Sequence, residues 1–173
     1  MSSSWGNLYH SVGATANMHW RSDQLPEASS MLAVGNRRSY GDVCVNDTGT
    51  SIDVTGLNRF IAFDKKSGLL RCEAGVTLWD ITQFIVPFGW FLPVSPGTGF
   101  VTVGGAVAND VHGKNHHVAG SFGCFVKQLE LQRSDGEVLI CNTKDNAALF
   151  SATIGGLGLT CLLYTSPSPR DRG

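Results

Sequence analysis

The stretch Met31-Leu32-Ala33-Val34-Gly35-Asn36-Arg37-Arg38-Ser39-Tyr40-Gly41-Asp42 decides how the chain is read. Four apolar residues predict a short buried strand, and the glycines beyond it mark a loop whose backbone turns tightly or comes close to a ligand. A second such stretch, Ser95-Pro96-Gly97-Thr98-Gly99-Phe100-Val101, cannot be regular helix. It leads into Thr102-Val103-Gly104-Gly105-Ala106-Val107-Ala108-Asn109, whose small residues start a helix with Thr102 near its cap. Many of the 21 glycines of the chain fall in clusters, at 35–41, 97–105 and 155–158, instead of spreading among ordinary turns.

Outward from these loops the pattern mixes strands and helices. Ser51-Ile52-Asp53-Val54 reads as a strand, and Phe60-Ile61-Ala62-Phe63 and Leu69-Leu70-Arg71-Cys72-Glu73-Ala74 flank the turn residues Asp64-Lys65-Lys66-Ser67-Gly68 as a hairpin. Thr77 caps a helix with apolar positions Leu78, Ile81, Phe84 and Ile85, stopped by Pro87 and Gly89. Residues 126–131 and 138–141 around Ser134-Asp135-Gly136-Glu137 predict a second hairpin, and 146–152 a short helix running into the loop Gly155-Gly156-Leu157-Gly158. The aromatic stretch Trp79, Phe84, Phe88, Trp90 and Phe91 reads as core packing and not as a stacking platform.

With 173 residues the chain has the size of one domain, without room for a separate substrate domain. A net charge of -1 lacks the basic excess that nucleic acid demands. No apolar run approaches the roughly 18 to 20 residues that cross a bilayer, and Met1-Ser2-Ser3-Ser4-Trp5-Gly6 lacks the regions of a signal peptide, so the expectation is a cytoplasmic protein. Cys44, Cys72, Cys124, Cys141 and Cys161 form no CxxC pair and read as free, mostly buried thiols.

Two glycine loops that follow apolar sequence present backbone N–H groups suited to a pyrophosphate, and a helix starting near Thr102 adds its positive end. A β-carbon at Gly104 or Gly105 is expected to push such a ligand off the backbone, with plain helix packing as the competing reading. No GxxxxGK[ST] occurs, and Gly35-Asn36-Arg37-Arg38 lacks the second glycine of GxGxxG. Arg38 is read as structural or ligand-contacting and Asp42 as a turn residue. His112, His116 and His117 have a spacing that helical metal sites use, but a glutamate base is missing and Gly113 intervenes, so no metal is expected.

The same residues carry a family resemblance. The strings Gly35-Asn36-Arg37-Arg38-Ser39-Tyr40-Gly41-Asp42, Pro96-Gly97-Thr98, Val101-Thr102-Val103-Gly104-Gly105-Ala106, and Asp110-Val111-His112-Gly113-Lys114-Asn115-His116-His117, continued by Ala119-Gly120-Ser121-Phe122-Gly123, resemble the PCMH-type FAD-binding domain of the vanillyl-alcohol oxidase superfamily. Within it the chain is most similar to the decaprenylphosphoryl-ribose 2-oxidase group. The resemblance implies an α+β (mixed α/β) fold of two subdomains, with FAD between them. It places the pyrophosphate on Ala33, Val34, Gly35, Asn36, Arg37, Arg38, Ser39, Tyr40, Gly41, Asp42 and Val43. Gly97, Thr102, Val103, Gly104 and Gly105 would complete the cradle, and His112, Gly113, Lys114 and Asn115 would reach toward the flavin.

Family members commonly have a glycine where Arg37 stands, a departure that bears on the geometry of that loop. Relatives that bond their flavin covalently have a histidine at the position of Arg38, so the resemblance implies non-covalent FAD. It also implies oxidation of a sugar-type alcohol, with the substrate held mainly by a cap domain outside this chain and the catalytic base unassigned. A lipid-linked sugar would bring the protein to a membrane surface. The domain is expected over residues 5–163, incomplete at its C-terminus, with 164–173 a proline- and serine-rich tail outside the fold, disordered or artefactual. Two other readings stand beside it: a truncated fragment without stable cofactor binding, and a metal-dependent hydrolase built on the histidine cluster.

Overall fold

The computed structural model describes residues 2–6, 10–160, 162–168 and 171–172. β1 (Ser2–Ser3) and β2 (His10–Ser11) pair as a short antiparallel ribbon. β3 (Ala14–Asn17), β4 (Met31–Val34) and β5 (Thr50–Asp53) form a parallel sheet in the order β3-β5-β4, with Val34 opposite Asp53. On β4 the side chains of Leu32 and Val34 are buried, the alternation a half-buried strand requires.

The chain continues through β6 (Phe60–Asp64), β7 (Leu69–Glu73), α1 (Leu78–Ile85), β8 (Trp90–Phe91), α2 (Val103–Ala108), α3 (His116–Ala119), β9 (Gln128–Gln132), β10 (Val138–Asn142), α4 (Ala147–Thr153), β11 (Leu162–Ser168) and β12 (Asp171–Arg172). Five of these strands make an antiparallel sheet in the order β10-β9-β11-β7-β6, while β8 pairs with β12. The fold is α+β, and local chemistry accounts for its elements. The Asp64 carboxylate accepts hydrogen bonds from Lys66 N at 2.9 Å and Ser67 Oγ at 2.6 Å, closing the β6–β7 turn. Thr77 and Asp80 form a reciprocal capping box at the start of α1. Leu78, Ile81 and Ile85 then bury one face, and Gly89, at φ 78°, ends the turn containing Pro87.

The main core lies where α1 and α2 meet the five-stranded sheet and contains Leu70, Cys72, Leu78, Ile81, Val103, Val107, Leu129 and Leu131. A smaller core joins Met18, Ile52, Val54 and Leu57 to Leu162. Successive residues of a strand face opposite sides, so on β11 Leu162 enters the small core and Leu163 the large one. This corrects the expectation of a tail outside the fold from residue 164. A strand after the 155–160 loop is present, and it continues through 164–168, with Thr165 opposite Glu73 and Ser168 opposite Leu70. The backbone of that segment completes the ladder between β9 and β7, which sequence polarity did not reveal.

Buried carboxylates tie the segment after β3 to the sheet. Glu130, 5% exposed, receives both Arg21 and Arg71, and Glu73 receives Arg59 at 3.1 Å. The Arg59 guanidinium also lies 3.8 Å from the centroid of the Trp20 ring. The aromatic stretch is only partly core. Trp90 is buried, but Trp79, Phe88 and Phe91 stay substantially exposed. Phe60, Phe63, Phe84 and Phe88 pack ring on ring beside the edge strand β6.

Among the cysteines, Cys44, Cys72 and Cys141 are buried thiols, whereas the Cys124 thiol is exposed, and Cys161 lies outside the described residues. Burial, with the Glu73 charge adding to it, pushes the Cys72 thiol up to about 12. Alkylation of the native protein at pH 8 should therefore label Cys124 first and leave Cys72 and Cys141 unlabelled until denaturant is added. Native labelling of Cys72 at the rate of Cys124, read by mass spectrometry, would contradict this packing.

Candidate functional site

Both glycine-bearing loops arrive at one place. A β-carbon at Gly35 would overlap Thr102 Oγ1 and lie 3.0 Å from Thr102 Cγ2, so the end of β4 and the start of α2 abut through a missing side chain. Asn36 Nδ2 donates to Phe100 O at 3.0 Å, tying the same two loops a second time. The starts of α1 and α2 are themselves bridged, with Leu78 N donating to Val101 O at 3.0 Å and Val103 N to Val76 O at 2.8 Å.

Between these elements lies a cavity of about 690 Å³, within the range of small-molecule and cofactor sites. Its wall includes Ala33, Val34, Gly35, Asn36, Arg37, Arg38, Ser39, Tyr40, Val43, Gly97, Thr102, Gly104, Gly105 and His112. Gly113, Lys114 and Asn115 line an adjoining open groove of about 950 Å³, which shares Pro96, Gly97 and His112 with the first. Of the expected residues, Gly41, Asp42 and Val103 line neither. Gly41, at φ 65°, meets no neighbour on the side where a β-carbon would stand. The Asp42 carbonyl accepts a turn hydrogen bond from Val45 N, and Val103 is fully buried in the main core.

The polar groups of the wall are unevenly engaged. Among the described residues, none accepts a hydrogen bond from the main-chain N–H groups of Asn36, Arg37, Arg38, Ser39 or Tyr40. Arg37 adopts φ 51°, a left-handed conformation that glycine takes without steric cost and that an arginine adopts at a cost of about 1 kcal/mol or more. Its side chain donates to Cys44 O at 3.3 Å and helps to hold the bend. Arg38 Nε is buried without a hydrogen-bond partner among the described residues, and the guanidinium carbon lies 4.3 Å from the centroid of the Trp5 ring.

The start of α2 differs from expectation. Val103 N donates to Val76 O, Gly104 N to Ala74 O at 2.8 Å, Gly105 N to the Thr102 hydroxyl at 3.2 Å and Ala106 N to Thr102 O at 2.8 Å. Its first amides are therefore spent inside the protein and are not free for an anion. At Gly104, which also lines the cavity, a β-carbon would stand 3.2 Å from Ala74 Cβ and 3.7 Å from Leu163 Cδ2, so helix packing is close on this side of the glycine. At Gly105 the nearest atom would be Thr102 Oγ1, at 3.1 Å.

The histidine segment is pinned at both ends. Asp110, in the left-handed region at φ 42°, accepts a 2.8 Å hydrogen bond from Gly123 N through Oδ1, and His112 bridges Ser121. Asn115 Nδ2 donates to Pro93 O at 3.1 Å, and His116 Nδ1 lies 3.2 Å from Gly113 O. The rings of His112 and His116 are 5.0 Å apart, and among the described residues no group of three or more His, Cys, Asp or Glu is arranged to share a metal ion.

Several wall residues escaped the sequence reading. Trp5 arrives from the turn of the β1–β2 ribbon, and Cys44 and Thr153 carry no motif. Leu157 and Gly158 did carry a signal, since they sit in the third glycine cluster. That loop packs on the far end of α2 through Gly155 N to Val107 O at 3.0 Å and Leu157 N to Ala108 O at 2.8 Å.

A cavity walled by a glycine loop whose main-chain donors find no acceptor among the described residues, beside an arginine Nε in the same state, suits the oxygens of a diphosphate-bearing nucleotide. The fold and site thus define a nucleotide-cofactor-binding α+β domain. The family described as "FAD binding domain" matches residues 27–142, and the chain belongs to that family. It is 45% identical to the decaprenylphosphoryl-beta-D-ribose oxidase of Mycolicibacterium smegmatis over 134 residues, covering 77% of this chain and 29% of that protein. An "Uncharacterized protein in mprA 5'region" of Streptomyces coelicolor is 47% identical over 91 residues, 53% of this chain and 24% of that one. The L-gulonolactone oxidase of Mus musculus is 28% identical over 174 aligned positions, 93% of this chain and 38% of that enzyme. The chain therefore spans less than two fifths of the length of these relatives.

Gly35→Ala should destabilise the fold by about 1–3 kcal/mol, the scale of an overpacked contact, because Thr102 is anchored at the start of a helix and cannot withdraw. Urea unfolding would measure it. A midpoint equal to that of the parent protein would mean that the two loops do not abut as described.

Proposed function

We propose that this chain is the cofactor-holding part of a flavin-dependent oxidoreductase that binds FAD non-covalently and oxidises a sugar-type secondary alcohol to a ketone. The observation that carries the reading is the run of N–H groups from Asn36 to Tyr40, without acceptors among the described residues, on the wall of the cavity that also receives Arg38 and Gly97. The diphosphate would rest on the 33–43 loop, with Arg38 adding a charge-assisted hydrogen bond of about 1.5–3 kcal/mol where water is excluded. Gly97, Thr102, Gly104 and Gly105 form the opposite wall. Val103 supports that wall from the core, while Gly41 and Asp42 shape the turn behind it. His112, Gly113, Lys114 and Asn115 flank the flavin end from the groove.

Bound FAD would supply the hydride acceptor. The residues of this chain orient it and fix the charges around it. Two of the relatives named above, by their names oxidases of a decaprenylphosphoryl-ribose and of a gulonolactone, support the substrate class. The alcohol would be bound mainly by a cap domain outside this chain, which would also bring the proton-accepting group. Non-covalent attachment follows from Arg38, since a guanidinium cannot form the flavin bond that an imidazole makes in covalent relatives. Among the described residues no helix is long and apolar enough to cross a membrane. We place the protein in the cytoplasm, meeting the membrane surface if its sugar is lipid-linked.

Purified full-length protein should be yellow, with flavin absorbance, and acid precipitation should release the flavin into the supernatant. Colourless protein would refute the assignment, and flavin retained in the pellet would refute the non-covalent part. Gly97 offers the cleaner steric test, because a β-carbon there meets nothing within 4 Å. Gly97→Val should change stability by no more than about 0.5 kcal/mol while weakening FAD by about tenfold, the equivalent of one displaced contact. Undiminished FAD affinity in that variant would move the cofactor away from this wall.

A further inference from the structure

We infer that Trp5 is a positioning residue for Arg38: its indole covers one face of the guanidinium and sets how that cation stands in the cavity. The inference rests on the FAD reading above. The Arg38 guanidinium carbon lies 4.3 Å from the centroid of the Trp5 ring, and both residues line the cavity. Trp5 is nevertheless 55% exposed, so burial in a core does not explain where it stands. Among the described residues Arg38 has no carboxylate partner, and its Nε is buried without an acceptor.

A guanidinium stacked on an aromatic ring spends its flat face on the ring and keeps its in-plane N–H edge for other partners. Arg38 fits that arrangement: its guanidinium carbon lies over the ring, and its Nε finds no acceptor among the described residues. A carboxylate in place of the indole would take the edge and neutralise the charge. The ring does neither, and it holds a long, rotamer-rich side chain whose ordering the ligand would otherwise have to bring about. Trp5 stands at the turn of the β1–β2 ribbon, so the stack also recruits the start of the chain to the wall beside β4.

The test is FAD titration of the full-length protein in the parent form and as Trp5→Ala, Trp5→Phe, Arg38→Gln and the double variant Trp5→Ala/Arg38→Gln. Trp5→Ala should weaken FAD by about tenfold and Trp5→Phe by about two- to threefold, the ring face being partly restored. The double variant should bind no more weakly than Arg38→Gln alone, because the indole acts through the guanidinium. Thermal melts should coincide, a half-exposed tryptophan contributing little to the core. An affinity for Trp5→Ala within twofold of the parent, or losses that multiply in the double variant, would overturn the inference. If Trp5→Ala does not fold, Trp5→Phe is compared with Trp5→Leu, and equal affinities overturn it. A parent protein that takes up no FAD refutes the proposed function and this inference with it, whereas tight parent binding with an indifferent Trp5→Ala refutes only the inference.

Discussion

The structure depends on one close approach, in which the end of β4 touches the start of α2 because Gly35 has no side chain to hold them apart. Thr102 is the fixed partner. Its hydroxyl accepts from Gly105 N, its carbonyl accepts from Ala106 N, and the residues on either side of it pair with the segment that starts α1. A residue so constrained cannot yield, and the parallel sheet and the antiparallel sheet therefore meet at a defined separation. The cavity is the space left where they meet.

That arrangement divides labour between the two glycine loops. The loop at the start of α2 is architectural: its amides are consumed by the carbonyls of Ala74, Val76 and Thr102, and Gly104 admits Ala74 and Leu163. The loop after β4, which we propose as the cofactor loop, has main-chain donors that none of the described residues accepts. Of the residues other than glycine held at positive φ, Arg37 and Leu157 lie in the cavity wall, and Asp110 sits between wall residues Asn109 and Val111. Each costs on the order of 1–3 kcal/mol in backbone strain, tolerated where the surroundings over-determine the conformation. Around Asp110 that surrounding is the Gly123 hydrogen bond; around Arg37 it is the bond to Cys44 O.

The other half of the construction is the joining of the sheets. Leu162 and Leu163 enter different cores from adjacent positions of β11, and Glu130 and Glu73 receive arginines from separate parts of the chain. The arginine ends are partly hydrated, so these bridges contribute modestly to stability. Their larger effect is on register, because a buried carboxylate left without its partner would be costly. The cavity thus has walls held from behind by both apolar and ionic contacts.

Local chemistry was legible wherever the determinant is local. Thr77 and Thr102 as caps, the Asp64 turn, and the strand at 31–34 follow from neighbours within a few residues, and so they could be read from the order of residues alone. The glycine clusters likewise announced close approach. What each glycine approaches was not legible, because Gly35, Gly104 and Gly97 look alike in sequence and face Thr102, Ala74 and open space respectively. Nor was the strand at 164–168 legible, since its place between β9 and β7 is decided by the ladders waiting on either side and not by its own polar residues. Trp5 belongs with these. The sequence by itself determined the caps, the hairpin turns and their strands, and the glycine loops, because those are short-range; only the tertiary structure decided the strand at 164–168, which amides find no acceptor and which ring lies over Arg38, because these depend on segments brought together from distant parts of the chain.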